Sequence, residues 1–201
     1  MINIELKDGS KRKVNEGLSV LEIAKEISEG LARNAMAGRV DGKVVDLRFK
    51  LEKDCKLEIL TFDDEDGKKA YWHTTSHIMA QAIKRLYKDV QLAIGPAIDD
   101  GFYYDFDTDY RFSESDFEKI EEEMKKIIKE DLPIERFELP RDEAIKFMKD
   151  AGENYKVELI EDLPEDEEIS FYKQGEFTDL CAGPHVMKTG SIKAVKLLTT
   201  S

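Results

Sequence analysis

Hydrophobic and polar positions alternate through Ile2–Leu6 and Lys11–Val14 around a Lys7-Asp8-Gly9-Ser10 turn, which predicts a β-hairpin. The pattern then changes period. Ser19 followed three residues later by Glu22 forms a capping box, and Leu18 against Ile23 a hydrophobic staple, so a helix starts here and ends near Gly30. Ala35–Val40 and Lys43–Leu47 bracket an Asp41-Gly42 turn, and Lys56–Leu60 supplies a further strand. The order ββαββ plus a closing strand predicts a small mixed sheet with one helix across it.

The stretch Asp63-Asp64-Glu65-Asp66-Gly67-Lys68-Lys69 has no face to bury and marks a boundary. This gives a first domain at 1–62, a linker at 63–69 and a second domain at 70–201. In the second, helical spacing predicts helices over Ala70–Tyr87, Glu114–Glu130 and Arg141–Ala151. Strands are predicted at Val90–Ile94, Gly101–Phe106, Ile134–Leu139, Lys156–Ile160, Ser170–Lys173, Phe177–Leu180 and Ala194–Leu198. The whole reads as α+β.

Composition changes this picture little. With 41% hydrophobic and 37% charged residues in 201, the chain is a folding mixture and not a disordered one. No apolar run approaches the ~20 residues of a membrane helix, and the alternating N-terminus is not a signal peptide. Two cysteines, Cys55 and Cys181, do not make a disulfide framework, so a reducing cytoplasm is the expected compartment and no membrane partner is expected.

Charge matters more. A net charge of −13 argues against an autonomous nucleic-acid binder. The acids crowd Glu158–Glu168, whereas Leu180–Ser201 holds lysines and no acid, which leaves local attraction for a polyanion near that end.

Candidate chemistry lies in two motifs that hold every histidine of the chain: His73-Thr74-Thr75-Ser76-His77 and Cys181-Ala182-Gly183-Pro184-His185. His73 and His77, four apart, share one helix face, roughly opposite the Met79, Ala82, Ile83, Leu86 stripe, and so are expected outside the core. The bland reading is two surface histidines and an unrelated turn. The sharper one joins three imidazoles and a thiol. His73, His77, Cys181 and His185 form a legitimate zinc set, and they equally suit a metal-free site that positions a water. Spacing alone leaves both open.

Three segments, Trp72-His73-Thr74-Thr75-Ser76-His77-Ile78-Met79-Ala80, Ala93-Ile94-Gly95-Pro96 with Asp100-Gly101-Phe102-Tyr103-Tyr104-Asp105, and Asp179-Leu180-Cys181-Ala182-Gly183-Pro184-His185-Val186, together resemble the editing domain of bacterial threonyl-tRNA synthetases. The first domain resembles that family's TGS domain, a β-grasp fold. The resemblance implies hydrolysis of serine mischarged onto threonine tRNA, without metal or other cofactor for editing. Alanyl-type editing domains hold zinc on a similar set, so a zinc-dependent aminoacyl-tRNA hydrolase is the alternative, and a non-catalytic RNA- or regulator-binding module a third.

By the same resemblance His73 orients or deprotonates water, and Lys156 supplies positive charge. His77, Cys181 and His185 line the pocket, Asp179 holds the substrate's α-amino group, and Tyr104 contacts the adenosine or fills the core. Cys181 as a covalent nucleophile is a lesser alternative, and Cys55 is structural. The partner implied is threonine tRNA, through a 3′ end that carries serine. ATP, magnesium and a catalytic-domain zinc are expected only in the full-length enzyme, itself a homodimer. The 201-residue chain is expected to be monomeric, to end short of the full editing domain, to edit weakly and to lack the aminoacylation site.

Overall fold

The computed structural model describes residues 1–201, which form two compact units. The first comprises Met1–His73 with Gly183–Met187, the second Thr74–Ala182 with Lys188–Ser201.

In the first unit, β1 (Ile2–Leu6), β2 (Lys11–Val14), β3 (Ala35–Val40), β4 (Lys43–Val45) and β5 (Cys55–Thr61) form one sheet in the order β2-β1-β5-β3-β4. β1 and β5 run parallel in the centre, and the other pairs are antiparallel. α1 (Val20–Ile27) covers this sheet, as expected of a β-grasp fold. The capping box is present: Glu22 N–H donates to Ser19 Oγ at 3.2 Å and Ser19 N–H to the Glu22 carboxylate at 2.7 Å. Val20, Ile23 and Ala24 bury one face of α1 against Ile4, Leu47 and Leu57. Each such aliphatic side chain is worth about 1.5–3 kcal/mol when fully buried.

The first helix differs from expectation in that it does not run to Gly30. It stops at Ile27, and Ser28, extended at φ −168°, accepts from Gly30 N–H and Leu31 N–H to start α2 (Glu29–Asn34). A serine that captures two free amides ends one helix and caps the next.

The expected linker is also corrected. α3 (Glu65–Leu86) begins five residues before Ala70, so most of 63–69 is helical. Asp64 Oδ2 accepts from Thr61 N–H at 2.9 Å, and Arg39 of β3 joins Glu58 and Asp66 at 2.7 and 2.8 Å. Gly67 is buried, and a Cβ there would lie 1.9 Å from the Thr61 carbonyl oxygen. The glycine read as a loop marker is the point where the helix passes the end of β5.

In the second unit, β10 (Ile134–Glu138), β11 (Ser170–Gln174) and β12 (Phe177–Leu180) form an antiparallel sheet. α5 (Arg141–Asp150) and α6 (Asn154–Asp162) pack with it through Ala144, Met148, Val157, Ile160 and Phe171. α4 (Phe117–Glu130), preceded by a 3₁₀ turn at Glu114–Asp116, buries Ile120, Met124 and Ile127. The region expected as two strands over 90–106 is four two-residue strands: β6 (Gln91–Leu92) with β9 (Phe106–Asp107), and β7 (Ala97–Ile98) with β8 (Gly101–Phe102).

Two further strand expectations fail. Lys156–Ile160 is helical, inside α6, because its buried residues Lys156, Val157 and Ile160 follow helical spacing while Leu159 is 37% exposed. Ala194–Leu198 forms no strand; its Leu197 N–H donates to Glu121 of α4 at 2.8 Å, a side-chain anchor instead of a ladder.

Candidate functional site

The division between units passes through α3, between His73 and Thr74, and through the second motif, between Ala182 and Gly183. His73 and His185 therefore belong to the first unit, His77 and Cys181 to the second.

In the first unit the two imidazoles face each other with ring centroids 4.2 Å apart at 33°. His185 is fully buried and His73 half-buried. Gly183, at φ +78°, and the cis Gly183–Pro184 peptide turn the chain into His185. Its backbone is held by two residues that the sequence reading missed. His185 N–H donates to Asp46 Oδ2 at 3.1 Å, and the Arg48 guanidinium donates to the His185 and Val186 carbonyls at 3.2 and 3.1 Å. Arg48 and Asp46 are themselves paired at 2.8 Å. Nothing in the local pattern after β4 marks them, since their partners lie more than a hundred residues away.

In the second unit several of the protected positions are polar. Contrary to the expected outward face, His77 is 2% exposed, alongside Thr74, Ser76 and Gln81 on α3. Asp179 of β12, also 2% exposed, gathers three partners. Lys156 Nζ of α6 lies 2.8 Å from its Oδ1, and Tyr104 O–H donates to Oδ2 at 2.6 Å. His77 Nε2 is 3.4 Å from the same Oδ2. The Lys156 ammonium and Asp179 Oδ1 form a buried ion pair, with both side chains withdrawn from solvent. Lys156 is 3% exposed, a helix lysine turned inward where a solvated strand lysine was the plain expectation.

Electrostatics follow from this packing. Burial would push the Asp179 carboxyl up, but the Lys156 ammonium, the His77 ring and the Tyr104 hydroxyl outweigh it and hold it below the usual carboxylate range. Burial and the adjoining Asp179 charge push the Tyr104 phenol well up, so it stays a donor. Asp179 is thus a carboxylate whose charge is already matched, where the sequence reading expected one open to a substrate ammonium. Tyr104, 7% exposed, is committed to Asp179 and stacked on Phe106 at 4.8 Å.

Cys181 continues from β12. Its N–H donates to Ser170 O at 3.0 Å, and its carbonyl accepts from Ser170 Oγ at 2.6 Å. Cys55, a free thiol in the first unit, is raised in pKa chiefly by burial, as suits an unreactive position. An imidazole whose Nε2 faces a carboxylate is oriented, and orientation serves a metal ligand or a water-positioning base equally.

The chain resembles known proteins over its whole length. Residues 2–61 match the TGS domain family, and residues 169–201 match the family described as "Threonyl and Alanyl tRNA synthetase second additional domain". A threonine–tRNA ligase of Caldanaerobacter subterraneus subsp. tengcongensis is 66% identical over 198 residues, which are 98% of this chain and 31% of that protein. One of Acetivibrio thermocellus is 66% identical over 201 residues, 100% and 32%, and one of Clostridium kluyveri 62% over 199, 99% and 31%. The chain spans about a third of the length of the curated relatives it matches. Through that match, and with its TGS domain and editing-type second domain, this chain belongs to the threonine–tRNA ligase family.

Proposed function

We propose that the chain proofreads aminoacyl-tRNA by hydrolysing the ester that joins serine to the terminal adenosine of threonine tRNA. The observation that carries this reading is the buried Lys156–Asp179 pair beside His77 in the second unit. A fully buried ion pair is a weak source of stability, because the cost of desolvating both charges offsets their attraction. A cation held so firmly suits stabilisation of the oxyanion that forms when water adds to an ester carbonyl.

In this reading His73 takes the proton from the attacking water, as the family resemblance implies, with the His185 ring packed beside it to fix its orientation. The water oxygen bonds to the carbonyl carbon, the carbon–oxygen bond to the ribose breaks, and the ribose hydroxyl receives the proton. Asp179 is the counter-ion that keeps Lys156 in place. The need for such a step is energetic: one methyl separates serine from threonine, worth only about 1–3 kcal/mol of discrimination.

The partner is then the 3′ end of threonine tRNA, met in the cytoplasm. The test is to incubate the chain with serine-charged and threonine-charged threonine tRNA. Serine should be lost faster, and equal loss of both contradicts the proofreading reading.

A further inference from the structure

We propose that Gly95 is a positioning residue of the second unit: its missing side chain lets the Tyr104 ring seat, and Tyr104 in turn fixes Asp179 and Lys156. The functional weight of this rests on reading Lys156 as a group of the hydrolytic site.

Gly95 and Tyr104 face each other across a narrow hairpin, in which Asp105 N–H donates to Ile94 O at 2.7 Å and Ala93 N–H to Asp105 O at 3.1 Å. A Cβ on Gly95 would lie 2.0 Å from Tyr104 Cδ2 and 2.5 Å from Cε2. Gly95 is not among the glycines at positive φ, so a left-handed backbone is not what calls for glycine here. It is the ring that demands glycine, a close approach of the kind such positions often mark.

Neither partner has room to retreat. Ser76 Oγ, one residue before His77 on α3, donates to Gly95 O at 2.8 Å and pins the segment between β6 and β7. The Tyr104 ring is stacked on Phe106 at 22° and is 7% exposed. Its hydroxyl reaches Asp179 Oδ2 at 2.6 Å, and Lys156 Nζ sits 2.8 Å from Oδ1 and 5.8 Å from the Tyr104 ring centre. The hydroxyl and the ring of Tyr104 therefore border the seat of the lysine, and Gly95 sets where that ring lies.

The experiment compares the 201-residue chain with Gly95→Ala and Tyr104→Phe by brief acetic anhydride labelling, read at each lysine by mass spectrometry. Lys84, held on α3 by Glu153 at 2.5 Å, is the internal reference. Labelling of Lys156 should rise about tenfold in Gly95→Ala and about threefold in Tyr104→Phe, which keeps the ring, with Lys84 unchanged. On serine-charged tRNA, kcat should fall about tenfold in Gly95→Ala with KM within about twofold, the signature of a misplaced group and not of lost binding. In the Tyr104→Phe background, Gly95→Ala should cost less than it does alone.

Lys156 labelling that stays at the wild-type rate in both variants overturns the proposal. So does an equal rise at Lys84 and Lys156, which reports general loosening. A wild-type chain inactive on serine-charged tRNA would refute the hydrolytic reading alone, since the labelling still decides the role of Gly95.

Discussion

The first unit protects aliphatic side chains, with Ile4, Ile23, Leu47, Leu57 and Leu60 all at 1% exposure or less. The second has apolar clusters too, yet several of its most protected positions are ionic or polar: Lys156, Asp179, His77, Gln81, Gln174 and Glu153. An aliphatic core tolerates neighbours of the right volume, whereas a buried charge needs one partner at one distance. The comparison teaches where buried charge is placed: the second unit carries an ion pair whose burial contributes little stability by itself.

The comparison can be broken most severely at Asp179. Asp179→Ala leaves Lys156 buried without a counter-ion and should destabilise the chain by about 3–5 kcal/mol in urea unfolding. A loss below about 1 kcal/mol would mean that the network is solvated and not buried. In the first unit, Leu57→Ala should cost about 2–5 kcal/mol through the cavity it opens under α1. It should leave the Lys156 environment unchanged, which lysine labelling can check.

A smaller effect separates the units by acid. Arg85 clasps Glu130, Glu176 and Glu123, and its hydrogen bonds hold the Glu176 carboxyl down at about 2. The folded value lies below the ordinary value of about 4.3, so the unfolded chain takes up the proton first. The stabilisation from this pair is full above about pH 4.3 and lost as pH falls toward about 2. Glu176→Gln should flatten the decline of unfolding free energy across that window, and an unchanged slope would show that Arg85 does not hold Glu176 in solution.

Much of this was legible in the sequence where local physics decides. The Ser19 and Glu22 capping box, the Asp41-Gly42 turn and the strands of the first unit carry their own signals. Lys156–Ile160 misled because Val157 and Leu159 alternate, and only the neighbours of Ile160 reveal the helix. Asp63–Lys69 misled because its charges read as solvated, although Arg39 of β3 and Thr61 of β5 receive them.

The histidine motifs were visible as residue types, but burial of His77 was not, since helical phase placed it opposite an apolar stripe while β12 supplies its cover with Asp179. Lys156 was singled out by family resemblance alone, and Asp46 and Arg48 by nothing. Each acts through a partner distant in sequence, which periodicity does not register.

The central claim is that the buried network of the second unit exists for hydrolysis more than for stability. Lys156→Met, Asp179→Leu and Tyr104→Phe made together remove both charges and the hydroxyl while keeping apolar bulk. The decisive measurement is single-turnover loss of serine from threonine tRNA by this triple variant, alongside its unfolding free energy. The account predicts a fold at least about 2 kcal/mol more stable than Asp179→Ala alone, with hydrolysis reduced at least about a hundredfold. A triple variant that releases serine at the wild-type rate would contradict it.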